Sequence, residues 1–280
     1  MDDTARISPF SHVPGPDGPW HTVRESMRLR GNAVVYTTWG EWLPAVLADA
    51  ALQPLLGRDW QRYRRTADPT IRYRFVASRL AVKYTAAAAL GVEPADLDLA
   101  YRIAGRPYLR GLGQIDLSLT HTDDLIAVGI SRNGRIGVDA EPMDRRMPVG
   151  LLKDQMCTFA ERRELAGLDE REQAAALLRL WTLKEAYTKA LGQGMRLAFT
   201  QFGFDPGGGG LLAPDGTPAA HGEWAFATRP ALSRYLISVA CHDAGLDASP
   251  DIAVATMLDE GFLGTVVELL GEAPLVDRAG

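Results

Sequence analysis

The chain has 280 residues, 46% of them hydrophobic, and carries 30 basic against 35 acidic side chains for a formal net charge of −5. That length and hydrophobic content are enough to bury a full core, as one large domain or two small ones. No run approaches the ~20 apolar residues of a membrane span, the N-terminus with Asp2 and Asp3 lacks the basic-then-apolar layout of a signal peptide, and two cysteines without a CxxC or paired histidines argue against a disulfide scaffold or a zinc site. The expectation is a soluble, cytoplasmic protein that meets no membrane and no nucleic acid.

Residues 1–31 are rich in Pro and Gly and predict an irregular arm. A β-type run over 33–39 follows, then helical patterning over 41–56. Between Arg58 and Lys83 eight basic residues (Arg58, Arg62, Arg64, Arg65, Arg72, Arg74, Arg79, Lys83) stand against two acidic ones. A local basic patch on an acidic protein suits a polyanionic small ligand or an acidic protein partner, while any one of these arginines also serves a solvated helix face. Asp68-Pro69 is a helix start, Asp as N-cap and Pro at the first helical position, and that helix runs to a stop at Gly91. Residues 98–103 and 115–119 read as strands. Leu125–Ile130 and Ile136–Glu141, joined through Asn133-Gly134, read as a β-hairpin. After Glu141 a segment with Pro142 and Pro148 marks a boundary between halves. Helices over about 150–168 and 171–191 follow, then strands near 198–204, 223–228 and 232–240. Residues 262–270 are compatible with a further helix.

Along the 171–191 helix, Ala176, Leu180, Leu183, Tyr187 and Leu191 make a core stripe, and Trp181, Glu185 and Lys189 fall on the opposite side one turn apart. That side reads as the wall of a cleft, or as an ordinary surface Glu–Lys pair. In the strand over 136–141, Ile136, Val138 and Ala140 share one face, so Asp139 and Glu141 share the other, about 7 Å apart at the backbone. Like charges so placed repel unless a cation or a pair of arginines sits between them. Carboxylates without His or Cys select a hard cation, Mg²⁺ or Mn²⁺, although an Asp-x-Glu at a strand end is also a common solvated edge. Glu185 offers a third carboxylate. His121 stands among hydroxyls in Ser118-Leu119-Thr120-His121-Thr122, where a structural role and phosphate binding are both open. Lys83-Tyr84-Thr85 ending in Leu90-Gly91 echoes Ala186-Tyr187-Thr188 ending in Leu191-Gly192. The predicted class is α+β, two similar halves each with one long helix packed on a small antiparallel sheet: 32–141 and 142–245, flanked by the arm and a 246–280 extension.

Four motifs, in order over roughly residues 55–240, resemble those of the 4'-phosphopantetheinyl transferases of the pseudodimeric Sfp type. Gly105-Arg106-Pro107 is similar to the family's Gly-Lys-Pro, and Ser118 to Thr122 to its Asn-x-Ser-His-Ser. Gly137-Val138-Asp139-Ala140-Glu141 matches Gly-(Ile/Val)-Asp-x-Glu, and Trp181 to Gly194 matches Trp-x-x-Lys-Glu-(Ala/Ser)-x-x-Lys-x-x-Gly-x-Gly. The resemblance implies an enzyme of the holo-acyl-carrier-protein synthase kind. It would move the phosphopantetheine arm of coenzyme A to a serine of an acyl, peptidyl or aryl carrier, with Mg²⁺, and release adenosine 3',5'-bisphosphate. It implies Asp139, Glu141 and Glu185 as metal ligands, Lys189 and His121 as phosphate contacts, and Glu161 or Glu185 as the base for the carrier serine. Arg58, Arg64 and Arg65 lie where the family binds the 3'-phosphate, and Arg106, Pro107 and Thr120 would complete the coenzyme A site. Arg145, Arg146 and Met147 form a candidate docking edge for an acidic carrier. By the same resemblance the protein is a monomer. The competing readings are an idle coenzyme A or carrier binder on this fold and a metal-dependent hydrolase of the coenzyme A pyrophosphate.

Overall fold

The computed structural model describes residues 6–48, 52–102, 105–205, 210–220 and 222–243. In chain order these form strand β1 (Phe10–His12), helix α1 (Trp20–Arg30), β2 (Asn32–Thr38), the short helices α2 (Leu43–Ala48), α3 (Leu52–Leu56) and α4 (Trp60–Arg65), and the long helix α5 (Pro69–Leu90). Strands β3 (Leu99–Tyr101), β4 (Pro107–Leu109), β5 (Asp116–Thr122), β6 (Leu125–Ser131) and β7 (Gly134–Pro142) come next. Helices α6 (Val149–Met156), α7 (Phe159–Leu165) and α8 (Glu170–Leu191) precede β8 (Gly203–Phe204), β9 (Leu211–Leu212), β10 (Trp224–Ala231) and β11 (Tyr235–Asp243).

The two long helices are specified alike. Each is 22 residues long, starts at an Asp whose side chain accepts the N–H of the third helical residue, and ends at a left-handed Gly, Gly91 at φ 70° and Gly192 at φ 69°. Those caps satisfy N–H and C=O groups that a helix leaves unpaired at its ends. Helix α5 packs on β2 and β6, and α8 on β7 and β11. The first sheet has the order β1-β2-β6-β5 and the second β10-β11-β7, antiparallel throughout except for the β1–β2 pair. The class is mixed α+β, helices against small, mainly antiparallel sheets. The described residues all fall in one compact unit, Met1–Asp243.

Several expectations change. The stretch expected as an irregular arm holds β1 and α1: Trp20, Val23 and Met27 turn one face of α1 into the core, with Trp20 against Trp42 and Tyr84, which outweighs the breaker residues before it. The expected β6–β7 hairpin does not form. Both edges of β6 are already paired, to β2 and β5, so Asn133-Gly134 carries the chain into the other sheet. The two strands meet face to face instead, Gly129 being the gap into which Val138 and Ile136 pack. Strand β7 therefore belongs to the second sheet, and the change of sheet falls at Asn133, not after Glu141. The helix expected over 150–168 breaks at Cys157-Thr158, where Thr158 and Glu161 form a reciprocal capping box that starts α7. The 198–204 strand shrinks to Gly203–Phe204. The suggested 262–270 helix and the 246–280 extension lie outside the described residues.

Candidate active site

The site begins with a glycine. A Cβ at Gly137 would stand 1.8 Å from the Ala186 carbonyl oxygen and 2.5 Å from the Ala190 nitrogen, so only a glycine lets α8 lie this close on β7. Ile136, Val138 and Ala140 alternate into the core, as their period-2 spacing predicts, and Asp139 is left facing the helix. Its Oδ1 accepts from Lys189 Nζ at 2.6 Å and from Thr120 Oγ1 at 3.2 Å. Lys189 Nζ also donates to Thr120 Oγ1 at 3.1 Å and to the Val138 carbonyl at 3.3 Å. The second carboxylate oxygen, Asp139 Oδ2, is buried with no hydrogen-bond partner. An orphaned anionic oxygen in a dry place is costly unless a cation completes it.

Glu141, two residues on, pairs with Arg145, whose guanidinium lies 5.2 Å from the Trp181 ring; Trp181 also hydrogen-bonds the Glu141 carboxylate. Burial pushes the Glu141 carboxyl up, with Asp139 adding to the shift and Arg145 opposing it. Glu185 is half-buried on α8, and burial and then the charge of Asp139 push its carboxyl up as well. The three carboxylates therefore feel one another. Among the described residues, however, no three His, Cys, Asp or Glu side chains gather as a metal-binding cluster. Lys189 and Arg145 occupy Asp139 and Glu141 as internal counter-cations. The donor set fits a hard dication in kind: oxygen ligands, one of them unpartnered.

Glu161, expected near the chemistry, is sealed in the core at 2% exposure. Its Oε2 takes the Thr158 N–H and Lys184 Nζ, each at 2.8 Å, and its Oε1 takes the Phe204 N–H at 3.0 Å. Lys184, 0% exposed, also donates to the carbonyls of Met156, Phe199 and Phe202. In the Trp-x-x-Lys-Glu stretch the lysine thus fastens α8 to the α6–α7 corner, while Glu185, half-buried, feels the charges of Asp139, Lys189 and Glu141. The position corrects the expectation of a base at Glu161: a carboxylate already bonded on both oxygens and closed to solvent cannot meet a partner's serine.

His121 and Thr122 line a cavity of about 380 Å³ with Trp39, Phe75 and the arginines Arg62, Arg74 and Arg79. Burial, then the cations Lys189 and Arg79, hold the His121 ring below its ordinary value, so it is neutral near pH 7. Of the eight basic residues of the cluster, Arg62, Arg74 and Arg79 line the cavity. Arg64 and Arg65 stand exposed on α4, and Arg58 lies 3.9 Å from Asp98 at the surface. Arg62, Arg74 and Arg79 share the helical neighbourhood of α4 and α5 and reach the cavity. Lys83 leaves the patch altogether: it is buried and donates to the Leu55 carbonyl at 2.8 Å. A second cavity, about 180 Å³, is lined by Arg102, Gly105, Arg106, Pro107, Ser118, Leu119 and Lys189, with Gly192 and Gly194 beyond. Here Ser118 Oγ is engaged by the Val138 N–H at 3.0 Å, and the Arg106 guanidinium is bonded to Asp116, Ile136 and Lys189. Together the cavities, lysine and carboxylates are equipped to hold a polyanion with a dication beside it.

The family model described as the 4'-phosphopantetheinyl transferase superfamily matches residues 135–240. Among similar proteins, one from Synechocystis sp., provisionally named a 4'-phosphopantetheinyl transferase, is 30% identical over 137 residues, covering 48% of this chain and 54% of its own. The 4'-phosphopantetheinyl transferase HetI of Nostoc sp. is 28% identical over 137 residues, 48% of this chain and 58% of its own. The phosphopantetheinyl transferase of Thraustochytrium sp. is 26% identical over 231 residues, 76% and 80% of the two chains. The chain thus spans little more than half the length of the first two. The matched region takes in nearly all of β7 and all of α8, the elements that carry Asp139, Glu141, Glu185 and Lys189, and most of β11.

Proposed function

We propose that this chain, whose residues 135–240 match the family model described as the 4'-phosphopantetheinyl transferase superfamily, moves the 4'-phosphopantetheine arm of coenzyme A to a serine of an apo carrier protein. The serine oxygen attacks the phosphorus that bears the pantetheine, the bond from that phosphorus to the bridging oxygen breaks, and adenosine 3',5'-bisphosphate leaves. The observation that best supports this is the 2.6 Å contact of Lys189 with Asp139, beside the basic cavity of Arg62, Arg74, Arg79 and His121. Relatives that carry the activity in their names add weight. Asp139, Glu141 and Glu185 would hold Mg²⁺, or Mn²⁺ in its place, and the ion would neutralise charge on the pyrophosphate. The unpartnered Asp139 Oδ2 is the reason to prefer a cation there.

The chain's own groups supply the rest. Lys189 meets the charge that develops on the leaving phosphate, a role for a positioned cation in a dry site. His121 and the three cavity arginines receive the nucleotide phosphates. Glu185 is either the third metal ligand or the group that takes the serine proton, and a carboxyl raised by burial and by Asp139 suits the second task only while no dication is bound to it. Glu161 is left with the structural task of holding Lys184. The carrier docks beside Arg145, Arg146 and Met147, where Met143 and Leu151 stand exposed and an acidic partner meets positive charge.

The two halves read as duplicates that form the site as a pseudodimer within one monomer. In their favour, β2-β6-β5 and β7-β11-β10 repeat one antiparallel order, the long helices share length and caps, and Lys83 reaches Leu55 over the same 28 residues as Lys184 reaches Met156. The test of the activity is intact-protein mass spectrometry of an apo carrier incubated with this protein, coenzyme A and Mg²⁺. A gain equal to the arm, absent without Mg²⁺ and absent with Asp139→Ala, is the expected result. Coenzyme A bound with no carrier modified would favour an idle binder, and coenzyme A cleaved without a carrier would favour a hydrolase.

A further inference from the structure

Strand β7 has one edge paired to β11 and the other turned toward β5 with no ladder partner. Backbone groups on a buried edge need partners, and on this edge side chains provide them. The Ile136 N–H donates to Asp116 Oδ2 at 2.8 Å and the Val138 N–H to Ser118 Oγ at 3.0 Å, while the Ile136 carbonyl accepts from Arg106 at 2.7 Å and the Val138 carbonyl from Lys189 at 3.3 Å. Arg106 sits at the junction. Its Nε and Nη2 grip the two oxygens of Asp116, Nη2 also bonds the Ile136 carbonyl, and Nη1 bonds the Lys189 carbonyl in the last turn of α8.

We propose that Arg106 and Asp116 form a brace that positions Lys189, and that Arg106 is not a phosphate ligand. A guanidinium has five N–H donors, and here three nitrogens already serve two carboxylate oxygens and two carbonyls. The parallel pair of N–H groups needed to fork a phosphate is spent on Asp116. The brace touches the main chain of Lys189 while that residue's ammonium rests on Asp139, so it sets where the ammonium starts from. The Lys189 carbonyl, in the last turn of α8, already accepts the Gly192 N–H at 3.0 Å, and Arg106 is its second donor, a cation at the helix end that favours one. A lysine at position 106 would be a point donor unable to hold a forked carboxylate and two carbonyls at once. The proposal rests on the transferase reading for the task of Lys189, and on geometry alone for the brace.

The two roles for Arg106 predict opposite signs for Asp116→Asn. If Arg106 bound phosphate, removing its counter-charge would free the guanidinium and tighten coenzyme A. As a brace, it loses its grip. The experiment compares wild type, Asp116→Asn, Arg106→Lys and the double variant. Amide hydrogen–deuterium exchange is followed by peptide, coenzyme A affinity by calorimetry, and transfer by steady-state kinetics. Both single variants are expected to speed exchange over Ala186–Gly194 and leave distant peptides unchanged. Each should lower kcat about tenfold to a hundredfold, as a misplaced catalytic group does, with KM for coenzyme A moving less than about threefold and the double variant no worse than either single. Tighter coenzyme A binding by Asp116→Asn, full function in Arg106→Lys, or exchange that rises everywhere or nowhere would overturn the brace. The exchange measurement needs neither carrier nor coenzyme A. A wild type that modifies no carrier while Ala186–Gly194 loosens in the variants would refute the transferase reading and leave the brace standing.

Discussion

At the scale of single residues, the same chemistry serves two ends depending on burial. His121 is held neutral by burial and by the cations around it. A phosphate arriving in its cavity would favour the imidazolium, raising its pKa in the complex. The sign follows: between the depressed free value and the higher bound value the complex holds more protons than the parts, so binding takes up a proton and strengthens as pH falls through that window. Titration of coenzyme A at about pH 6.5, in two buffers of different ionisation heat, should show proton uptake by wild type in excess of His121→Gln, the difference cancelling the ligand's own phosphate. Equal uptake by the two would remove the imidazole from the phosphate site. Glu161 is the opposite case. Glu161→Ala leaves Lys184 charged and unpaired in the core, a loss of about 3–5 kcal/mol, seen as a lower melting temperature. Below that temperature, activity per folded molecule should hold within a few fold. A base lost from the reaction would cost a hundredfold or more.

At the scale of elements, the site depends on how closely α8 meets β7, and that distance is set by Gly137. In Gly137→Ala the new methyl has nowhere to go, because what it meets is helix backbone and not the end of a flexible side chain. We expect destabilisation at or above the roughly 1–3 kcal/mol typical of overpacking, measured by denaturant unfolding, together with a loss of transfer that Gly137→Ser shares. Unchanged stability would mean that the helix does not lie on this strand. This contact also shows what the sequence makes legible. Periodicity and caps announce both ends of α5 and the glycine stop of α8, whose start falls one residue before the expected 171, and alternation puts Asp139 and Glu141 on one face, because those signals are local. Strand partners are not local: the Asn133-Gly134 turn looks like a hairpin until β6 is seen to have both edges taken. The arginine cluster is visible as a run, but which members reach the cavity depends on the packing of α4 against α5: Arg62, Arg74 and Arg79 line it, and Arg58, Arg64 and Arg65 do not. Glu161 and Arg106 both make bonds inside the protein that the sequence does not announce, for one reason. A charged residue in a motif announces a bond, and only the fold tells whether the bond is to ligand or to the protein itself.

At the scale of the molecule, the groups proposed to hold coenzyme A come from both sheets. The arginine cavity lies on α4 and α5 beside β5, and the carboxylates and Lys189 lie on β7 and α8. The halves share an order of strands but not an inventory. Taking Lys83 as the counterpart of Lys184, Tyr84 stands where the second half has Glu185 and Ala88 where it has Lys189. On the transferase reading, one half would hold the nucleotide and the other would carry the groups of the transfer. The seam between them is a row of side-chain bonds from Asp116, Ser118 and Arg106 to β7, with Gly129 packed under Val138. A ligand that touches both sides of such a seam must stabilise them as one body. Calorimetry should show a single unfolding transition that moves upward with coenzyme A and Mg²⁺. At a hundred times the dissociation constant the gain should be about 2.7 kcal/mol. Arg74→Ala from one side and Lys189→Ala from the other should each reduce that shift. If instead the transition splits and coenzyme A moves one part alone, the nucleotide belongs to a single half and the seam plays no part in binding it.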